Sequence, residues 1–256
     1  MSFLADLLVS TRARVDAAKI NVTEEVLEQR VVAAEEPRGF AAALRRSEPT
    51  LIAEIKRATP AGGELDLDLE ARRTAVAYAA GGAVAISVLT EPDSFKGSLD
   101  DLAAARAAGL PVLRKDFIID PFQIFEARAF GADAVLLIMR ILGDEAEELL
   151  RICGALGMDA LVEVFDEDDL TRALAIGARV VGINHRDLET FEVDRERTAA
   201  LSPSIPGEVT VVSLSGVSTR REVEELGAAG AHAILVGESI ITAPDPAAKI
   251  RELLGR

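Results

Sequence analysis

The stretch from residue 51 to residue 63 reads Leu51-Ile52-Ala53-Glu54-Ile55-Lys56-Arg57-Ala58-Thr59-Pro60-Ala61-Gly62-Gly63. Its first five residues predict a buried β-strand, because they are mostly apolar and β-favouring. Glu54 and Lys56 lie two apart, so an extended chain projects both side chains from one face near the strand's end. The proline and the paired glycines then predict a loop. A carboxylate and an ammonium group at the end of a buried strand, beside a loop, indicate a functional site.

Polar residues end several other apolar runs in the same way. A single pair of opposite charges at a strand end would be an ordinary ion pair, but separate pairs have no reason to recur at one end of strand after strand. The recurrence therefore favours a shared site. The other runs are Val112-Leu113-Arg114-Lys115-Asp116, Ala160-Leu161-Val162-Glu163 and Val180-Val181-Gly182-Ile183-Asn184-His185-Arg186.

The length of 256 residues is enough for one large buried core, and no linker divides the chain. We therefore expect a single domain over residues 1–256, in which residues 1–46 form a helical N-terminal extension. No apolar run approaches the roughly 18 residues of a membrane span. The first apolar run also lacks the basic leader of a signal peptide. The sequence predicts a cytoplasmic protein without a membrane partner.

Composition narrows the class of ligand. The net charge of −15, without a basic run, argues against a nucleic-acid partner. It does not exclude a phosphorylated small molecule, because the backbone N–H groups of loops and helix N-termini bind phosphate locally. Cys153 is the only cysteine, so an internal disulfide is excluded. We expect Cys153 to be a small buried residue within a helix. With two histidines, a Cys/His metal site is not expected.

An internal repeat predicts how helices lead into strands. In each of four segments, a glycine and an alanine follow a helical pattern and precede an apolar run. The glycine is therefore expected to be left-handed after a helix end, just before a strand. The segments are Gly82-Ala83-Val84-Ala85-Ile86, Gly131-Ala132-Asp133-Ala134-Val135, Gly177-Ala178-Arg179-Val180-Val181 and Gly230-Ala231-His232-Ala233-Ile234.

Strand and helix patterns alternate from residue 51 onward. Strands are predicted over 51–55, 84–89, 112–114, 134–138, 160–164, 180–184, 209–213 and 233–236. Helices are predicted over 67–80, 99–108, 121–130, 145–156, 168–176, 195–201, 219–229 and 246–253. This α/β alternation favours a (β/α)8 TIM barrel over an open sheet. A dinucleotide-binding open sheet would carry a G-x-G-x-x-G turn, which the sequence lacks.

In such a barrel the carboxyl ends of all strands converge on one mouth, where barrel enzymes place their sites. Unpaired charges away from water are costly, so lysines, glutamates and an arginine gathered there favour an anionic substrate and proton transfer. The alternative is a network of structural ion pairs around a closed mouth. The residues predicted at the mouth are Glu54, Lys56, Ser87, Lys115, Glu163, Asn184, Arg186, Ser213, Ser215 and Gly237.

The loops after the seventh and eighth strands are the usual phosphate site of this fold. Gly216 and Gly237 let a ligand approach the backbone, and each loop leads into a helix whose first N–H groups are expected to be unpaired. Glycines that serve only as turns are the alternative. Phe95 and Phe117, in the loops after the second and third strands, are placed to flank a flat substrate ring or to cover the core.

Neither histidine is expected to be catalytic. His185 lies between Asn184 and Arg186, and it points away from both if the strand continues. His232 lies in a helix-to-strand turn and is expected to be solvated.

Four segments of the chain are similar to segments of one known family. The four are Ile52-Ala53-Glu54-Ile55-Lys56-Arg57-Ala58-Thr59-Pro60, Leu113-Arg114-Lys115-Asp116-Phe117-Ile118, Leu161-Val162-Glu163-Val164 and Ile183-Asn184-His185-Arg186-Asp187-Leu188. Together they resemble the indole-3-glycerol phosphate synthase family of tryptophan biosynthesis. The resemblance runs from the N-terminal helices to the end of the chain. It implies a (β/α)8 barrel without metal or organic cofactor. The implied reaction closes 1-(2-carboxyphenylamino)-1-deoxyribulose 5-phosphate to an indole, with loss of carbon dioxide and water.

The resemblance also implies roles for individual residues. Lys115 is similar to the general acid of ring closure, and Glu163 to the carboxylate that transfers a proton at dehydration. Lys56 and Glu54 resemble a second catalytic lysine and carboxylate, and Asn184 a residue that holds polar groups of the substrate. The implied substrate contacts are Arg186, Ser215, Phe95, Phe117 and Leu136. The implied phosphate contacts are Lys56, Thr59, Gly216, Gly237 and Glu238.

The chain departs from the family pattern at Leu214, where a glutamate in Glu-Ser-Gly is common. Leucine can neither accept a hydrogen bond nor hold a charge. The first hypothesis is a working synthase, and the second is a phosphosugar-binding barrel of the same family with lost or altered catalysis. A third is a related barrel enzyme such as phosphoribosylanthranilate isomerase, which the paired lysines fit poorly. We expect a monomer, with weak self-association as the alternative, whose partner is its phosphorylated substrate.

Overall fold

A computed structural model describes residues 3–256, apart from the side chain of Glu24. Eight parallel strands close into a barrel, in which each strand pairs with its neighbours along the chain and the last pairs with the first. This confirms the predicted (β/α)8 architecture, and no predicted strand end is displaced by more than one residue. The strands are β1 (Thr50–Ile55), β2 (Ala85–Leu89), β3 (Val112–Lys115), β4 (Ala134–Ile138), β5 (Asp159–Val164), β6 (Val180–Asn184), β7 (Thr210–Leu214) and β8 (Ala233–Val236).

Alternate residues of each strand face the barrel interior and the surrounding helices. In β1, Ile52 packs inside the barrel with Leu113 and Leu161, whereas Ala53 and Ile55 pack in the outer layer against the helices. Both faces are therefore buried, which explains why the strands read as almost continuous apolar runs. The same alternation directs Glu54 and Lys56 to the inside.

The described helices surround the barrel and also precede it. Six of the eight helices predicted after residue 51 lie within two residues of their predicted ends. They are α1 (Phe3–Asn21), α2 (Glu24–Ala33), α3 (Phe40–Leu44), α4 (Ala71–Gly81), α5 (Leu99–Ala105), α6 (Pro121–Ala129), α7 (Met139–Leu142), α8 (Glu145–Ala155), α9 (Glu167–Ala175), α10 (Glu196–Leu201), α11 (Arg220–Ala228), α12 (Glu238–Ile241) and α13 (Pro246–Leu254).

The largest differences from prediction lie at a helix start and in short elements. The helix predicted over 67–80 begins only at Ala71, after a turn in which the Asp66 carboxylate accepts the N–H of Asp68 at 3.1 Å; such local bonds compete with a helix. The predicted helix over 99–108 ends as a 3-10 turn at Arg106–Ala108. Helices α7 and α12, and a hairpin that pairs Ala58–Thr59 with Gly63–Glu64, are too short to show a periodic pattern.

The repeated glycines take the predicted left-handed conformation. Their φ angles are 105° at Gly82, 83° at Gly131, 82° at Gly177 and 104° at Gly230. A side chain is strained in this conformation. Each of these glycines therefore lets the chain leave a helix and enter the following strand within a few residues.

The last part of the N-terminal extension, which includes α3, packs at the amino end of the barrel. Met1 and Ser2, with which the predicted extension begins, lie outside the described residues. Phe40 and Leu44 are fully buried in the inner core. The Asp133 carboxylate, at the start of β4, accepts the backbone N–H groups of Arg38 and Val112, both at 2.7 Å, and lies 3.2 Å from Nη1 of Arg106. One buried carboxylate thus joins the extension to two strands.

Two further findings concern the cysteine and the apolar character of the helices. Cys153 is fully buried in α8, as predicted. None of the helices in residues 3–256 combines the length and the apolar character needed to cross a bilayer.

Replacing Asp133 tests this anchor. The Asp133→Ala variant leaves the buried N–H of Val112 and the half-buried N–H of Arg38 without an acceptor, and Arg106 without its buried partner, so we expect a loss of about 3–5 kcal/mol in the free energy of unfolding. Urea titration followed by circular dichroism measures it. The control is Asp144→Ala, whose carboxylate is fully exposed and 4.0 Å from Arg172, and for which we expect a change within about 0.5 kcal/mol. Equal effects of the two substitutions would contradict the anchor.

Candidate functional site

A cavity of about 440 Å³ opens at the carboxyl ends of the strands. Side chains and backbone from distant parts of the chain line it, including every residue for which the family resemblance implies a role. These are Glu54, Lys56, Thr59, Phe95, Lys115, Phe117, Leu136, Glu163, Asn184, Arg186, Ser215, Gly216, Gly237 and Glu238. The structure therefore brings these fourteen residues to one cavity.

The first charged pair lies at the end of β1. Nζ of Lys56 is 3.2 Å from Oε1 of Glu54, and both side chains are largely buried. The register of β1 against β2 places Ser87 beside Glu54, and the Ser87 hydroxyl donates to Oε2 at 3.3 Å. Both oxygens of the Glu54 carboxylate thus face a donor inside the barrel.

The second charged pair joins β3 to β5. Nζ of Lys115 is 3.7 Å from Oε2 of Glu163. The Asn184 amide donates to Oε1 of Glu163 at 3.0 Å, and Glu163 is 3% exposed. Oε2 is buried and accepts no hydrogen bond from the described residues. Because a buried acceptor without a donor is costly, this oxygen is the one most suited to meet a ligand.

Asn184 connects this pair to the loop after β7. Its Oδ1 accepts the hydroxyl of Ser215 and the backbone N–H of Arg186, each at 3.0 Å. The Arg186 guanidinium donates to the backbone carbonyl of Phe191 at 3.0 Å. Asn184 and Arg186 are therefore held in place by hydrogen bonds before any ligand binds.

Apolar side chains form one wall of the cavity. Phe117 and Leu136 belong to the inner core, and Phe95 packs against it. Glu91, which the sequence analysis missed, is 1% exposed and holds the Phe95 loop, because its carboxylate accepts the backbone N–H groups of residues 93, 94 and 95 at 2.6–3.1 Å. No local signal distinguishes this loop carboxylate from a solvated one.

The rim of the cavity contains further residues that the sequence did not predict. Phe3, from α1, contacts Phe191 edge to face with 5.2 Å between the ring centroids. Both rings and Leu188 line the cavity. Phe191 belongs to the loop after β6, which folds back so that Arg186 and Val193 form a bridge. These contacts join segments far apart in the chain, so no sequence pattern predicts them.

Leu214 also faces the cavity, at the end of β7. It is 1% exposed and packs in the inner core with Leu161 and Leu235. Its position between Asn184 and Leu235 in the strand register places an apolar side chain at the position of the family's common glutamate.

The glycine loops only partly match their prediction. The N–H groups of Ser218 and Thr219, just before α11, donate to the Glu222 carboxylate at 2.7 and 3.0 Å. Within the first turn of α11, the N–H of Glu222 donates to the Thr219 hydroxyl at 3.3 Å, so the expectation of unpaired N–H groups is wrong for Glu222. At Gly237, an added Cβ would lie 2.8 Å from Oε1 of Glu54 and 3.2 Å from its Cβ. Gly237 is therefore needed for packing against Glu54.

Ser213 is not at the mouth, contrary to prediction. It is fully buried and its hydroxyl contacts that of Thr198 on α10 at 2.8 Å. Strand alternation places Ser213 outside and Leu214 inside. Ser215 nevertheless reaches the cavity, because its φ of 74° ends the alternation.

The histidines give one confirmed prediction and one error. His185 points away from the cavity, as predicted, and contacts Thr198 on α10. His232 was expected to be solvated, but it is half-buried and its Nδ1 accepts the backbone N–H of Val211 at 3.0 Å. Burial lowers the pKa of His232. The turn that contains it is packed against β7, which its sequence alone does not reveal.

Comparison with known sequences identifies relatives along the whole chain. A family model described as indole-3-glycerol phosphate synthase matches residues 4–253. The indole-3-glycerol phosphate synthase of Roseiflexus castenholzii (strain DSM 13941 / HLO8) is 46% identical, with 100% of this chain and 99% of that protein aligned. That of Mycolicibacterium vanbaalenii is 46% identical over 98% of this chain and 93% of that protein. A multifunctional tryptophan biosynthesis protein of Schizosaccharomyces pombe is 48% identical over 82% of this chain and 29% of its own length.

Solved structures share the fold at low sequence identity. An N-acetylmannosamine-6-phosphate 2-epimerase from Clostridium perfringens superposes with a TM-score of 0.63 at 17% identity, over 84% of this chain and 96% of that chain. A thiamine phosphate pyrophosphorylase from Pyrococcus furiosus gives 0.61 at 17% identity, over 81% and 94%. At this identity the likeness establishes the barrel alone.

Adding a methyl group at Gly237 tests its packing against Glu54. We expect Gly237→Ala to displace Glu54 from Lys56, because the new Cβ takes the space of the carboxylate, and to cost about 1–3 kcal/mol of stability. A crystal structure and urea titration measure the two effects. The control is Gly207→Ala, where an added Cβ meets nothing within 4 Å. An unmoved Glu54, still 3.2 Å from Lys56, would show that the space is available.

Proposed function

The chain belongs to the indole-3-glycerol phosphate synthase family, and from this premise we propose how its cavity carries out the family's reaction. Members are carboxy-lyases of tryptophan biosynthesis that bind a phosphorylated small molecule. The substrate implied by the resemblance, 1-(2-carboxyphenylamino)-1-deoxyribulose 5-phosphate, has an aromatic ring, a carboxylate, a ketone and a phosphate. The cavity offers an apolar wall, cations and glycine loops, which suit these parts.

The reaction sets two demands on proton transfer. Ring closure joins the aromatic carbon that bears the carboxylate to the ketone carbon, so the ketone oxygen must gain a proton as the bond forms. The carboxylate then leaves as carbon dioxide. In the second stage the new hydroxyl leaves as water, which needs a proton donor at oxygen and a base that removes a proton from the ring system. An acid and a carboxylate must therefore face the same substrate.

We assign the acid of ring closure to Lys115. Its ammonium group lies at the end of β3 and lines the cavity, 3.7 Å from Oε2 of Glu163. This pair of opposite charges over one cavity is the observation that carries the proposal. The ammonium group stabilises the negative charge that develops on the ketone oxygen and then protonates it, and both effects are strong where water is excluded.

Glu163 serves the dehydration step. Asn184 orients its carboxylate through Oε1, which leaves Oε2 to exchange a proton with the substrate. Lys56 and Glu54 form a second acid–base pair at the end of β1, across the barrel from β5, which carries Glu163. The charge of Lys56 also attracts the phosphate, whose other contact from this segment is Thr59.

The remaining contacts orient the substrate. The ring lies against Phe95, Phe117 and Leu136, which exclude water from the reacting carbon. Arg186 and Ser215 bind the carboxylate and polar groups. At the phosphate, the backbone N–H groups of Gly216, Gly237 and Glu238 are the donors, since the carboxylate of Glu238 would repel an anion.

Neither alternative activity is favoured. Full-length relatives named indole-3-glycerol phosphate synthase are 43–46% identical to this chain. They favour a catalytic barrel rather than one that only binds a phosphosugar, although Leu214 replaces the common glutamate. A phosphoribosylanthranilate isomerase activity would not use the two lysine–carboxylate pairs.

We further propose a monomer that works in the cytoplasm, because one chain supplies every residue of the cavity and a charged metabolite does not cross membranes unaided.

Replacing Lys115 tests its assignment. We expect Lys115→Met to lower kcat about 100- to 10,000-fold, since the general acid is lost, while the product indole-3-glycerol phosphate still binds. Fluorescence of the product measures turnover, and calorimetry measures binding. The control is Lys249→Met, which removes a lysine that pairs with Glu252 on α13 and should leave kcat unchanged. Similar rates for parent and Lys115→Met would remove Lys115 from this role.

Replacing Leu214 tests the departure from the family pattern. We expect Leu214→Glu to raise kcat/KM, because it adds a carboxylate to the cavity. A hydrogen bond to a charged group contributes about 1.5–3 kcal/mol, so the rise should be about 10- to 150-fold. Leu214→Met, which keeps the site apolar, is the control. If Leu214→Glu and Leu214→Met turn over at the parent rate, the missing carboxylate is not needed here.

A further inference from the structure

His185 is a buried polar side chain for which the proposed mechanism has no use. It is 0% exposed and lies on the outer side of the sheet, behind the cavity. Its Nδ1 is 3.0 Å from the backbone carbonyl oxygen of Ser215, and its Nε2 is 2.8 Å from the Thr198 hydroxyl. The Thr198 hydroxyl also contacts that of Ser213 at 2.8 Å. Both ring nitrogens therefore have partners, from a loop and from helix α10.

The partners determine the protonation of the ring. A carbonyl oxygen only accepts hydrogen bonds, so Nδ1 carries the proton and donates to Ser215. Nε2 then accepts from Thr198, and the Ser213 hydroxyl donates to Thr198. Burial lowers the pKa of His185, which favours this neutral form. Every group in the chain of hydrogen bonds is satisfied with the ring in one orientation.

Ser215 needs such support because its backbone is strained. Its φ of 74° is rare for a residue with a side chain. This conformation turns the hydroxyl toward the cavity, although the preceding Leu214 already faces inward. On the other side, the N–H of His185 donates to the carbonyl of Leu214 at 3.0 Å. His185 thus holds the chain on both sides of the bond that joins Leu214 to Ser215.

The orientation of Ser215 passes to Glu163 through Asn184. The Ser215 hydroxyl donates to Oδ1 of Asn184, and Nδ2 of Asn184 donates to Oε1 of Glu163, both at 3.0 Å. With its oxygen held by Ser215, the amide of Asn184 presents its nitrogen to Glu163 and does not flip. Hydrogen bonds at the carbonyl and at the hydroxyl of Ser215 thus connect Thr198 on α10 to Glu163 through this residue.

We propose that His185 is a positioning residue that keeps Ser215 left-handed and, through Asn184, fixes the Glu163 carboxylate. The assignment rests on the proposed function, since Glu163 is the proton-transfer group there. It adds a residue that touches neither the substrate nor the reacting atoms. This role depends on the N–H group at Nδ1 of the ring, because this donor holds the Ser215 carbonyl.

Replacing His185 by asparagine and by glutamine distinguishes the roles of the two ring nitrogens. In His185→Asn the amide nitrogen occupies the place of Nδ1 and keeps the donor to Ser215, whereas in His185→Gln it reaches the place of Nε2. We expect His185→Gln and His185→Leu to lower kcat about 10- to 100-fold, the cost of a misplaced catalytic group, with a much smaller change in KM. His185→Asn should retain most of the kcat. Product fluorescence gives both constants, and thermal unfolding shows that each variant is folded.

The other histidine provides the matched control. His232 lies at the amino end of the barrel, where its ring accepts the backbone N–H of Val211, and His232→Gln should leave kcat unchanged. Thr198→Val tests the far end of the series. If Thr198 acts through His185, the double variant His185→Leu/Thr198→Val is as fast as His185→Leu alone.

A crystal structure of His185→Gln tests the proposal without relying on turnover. We expect the Ser215 carbonyl to turn and the hydrogen bond between Ser215 and Asn184 to be lost. Retention of both, or a folded His185→Gln with the parent's kcat, would overturn the proposal. Loss of kcat in His185→Asn equal to that in His185→Gln would also overturn it, because the Nδ1 donor would not matter. A parent without turnover would refute the proposed function, and the structure of His185→Gln would still decide the role of His185.

Discussion

Opposite charges at the end of a closed barrel must pair, since the strands that carry them are buried on both faces. Lys56 lies 3.2 Å from Glu54, and Lys115 lies 3.7 Å from Glu163. Removing one member of such a pair leaves an uncompensated charge away from water, at a cost of about 3–5 kcal/mol. The barrel therefore holds two ammonium groups and two carboxylates around one cavity only because each has its counterpart.

The apolar surroundings give these pairs their chemical use. Phe117, Leu136 and Leu214 line the same cavity as the charges, so the effective dielectric constant there is lower than in water and interactions with a charged substrate are stronger. The carboxylate and phosphate of the substrate meet cations, and its ring meets the apolar wall. Hydrogen bonds from Ser87 and Asn184 hold the two carboxylates in fixed orientations, so little rearrangement is needed during the reaction.

Much of this arrangement could be predicted from the sequence, because strand alternation is a local property. Glu54 and Lys56 two residues apart, and Asn184 at the end of an apolar run, were enough to place polar groups at one mouth. The predictions failed where strand alternation stops and where a residue contacts a segment far away in the chain. Ser213 faces outward by strand alternation, and Ser215 returns to the cavity only because its left-handed backbone ends that alternation.

Contacts between distant segments account for the residues that were missed. Glu91 becomes a loop anchor only when the backbone N–H groups of residues 93–95 fold onto it. Phe3 meets Phe191 across most of the chain's length. His232 is half-buried because its turn packs on β7. None of these contacts has a spacing or composition that a single sequence displays.

A crystal structure with bound indole-3-glycerol phosphate tests the central claim most directly. The account predicts the indole ring against Phe95 and Phe117, the phosphate at Gly216 and Gly237, and the groups of Lys115 and Glu163 both within hydrogen-bond reach of the ligand. A ligand bound elsewhere, or one that Lys115 and Glu163 do not approach, would contradict it.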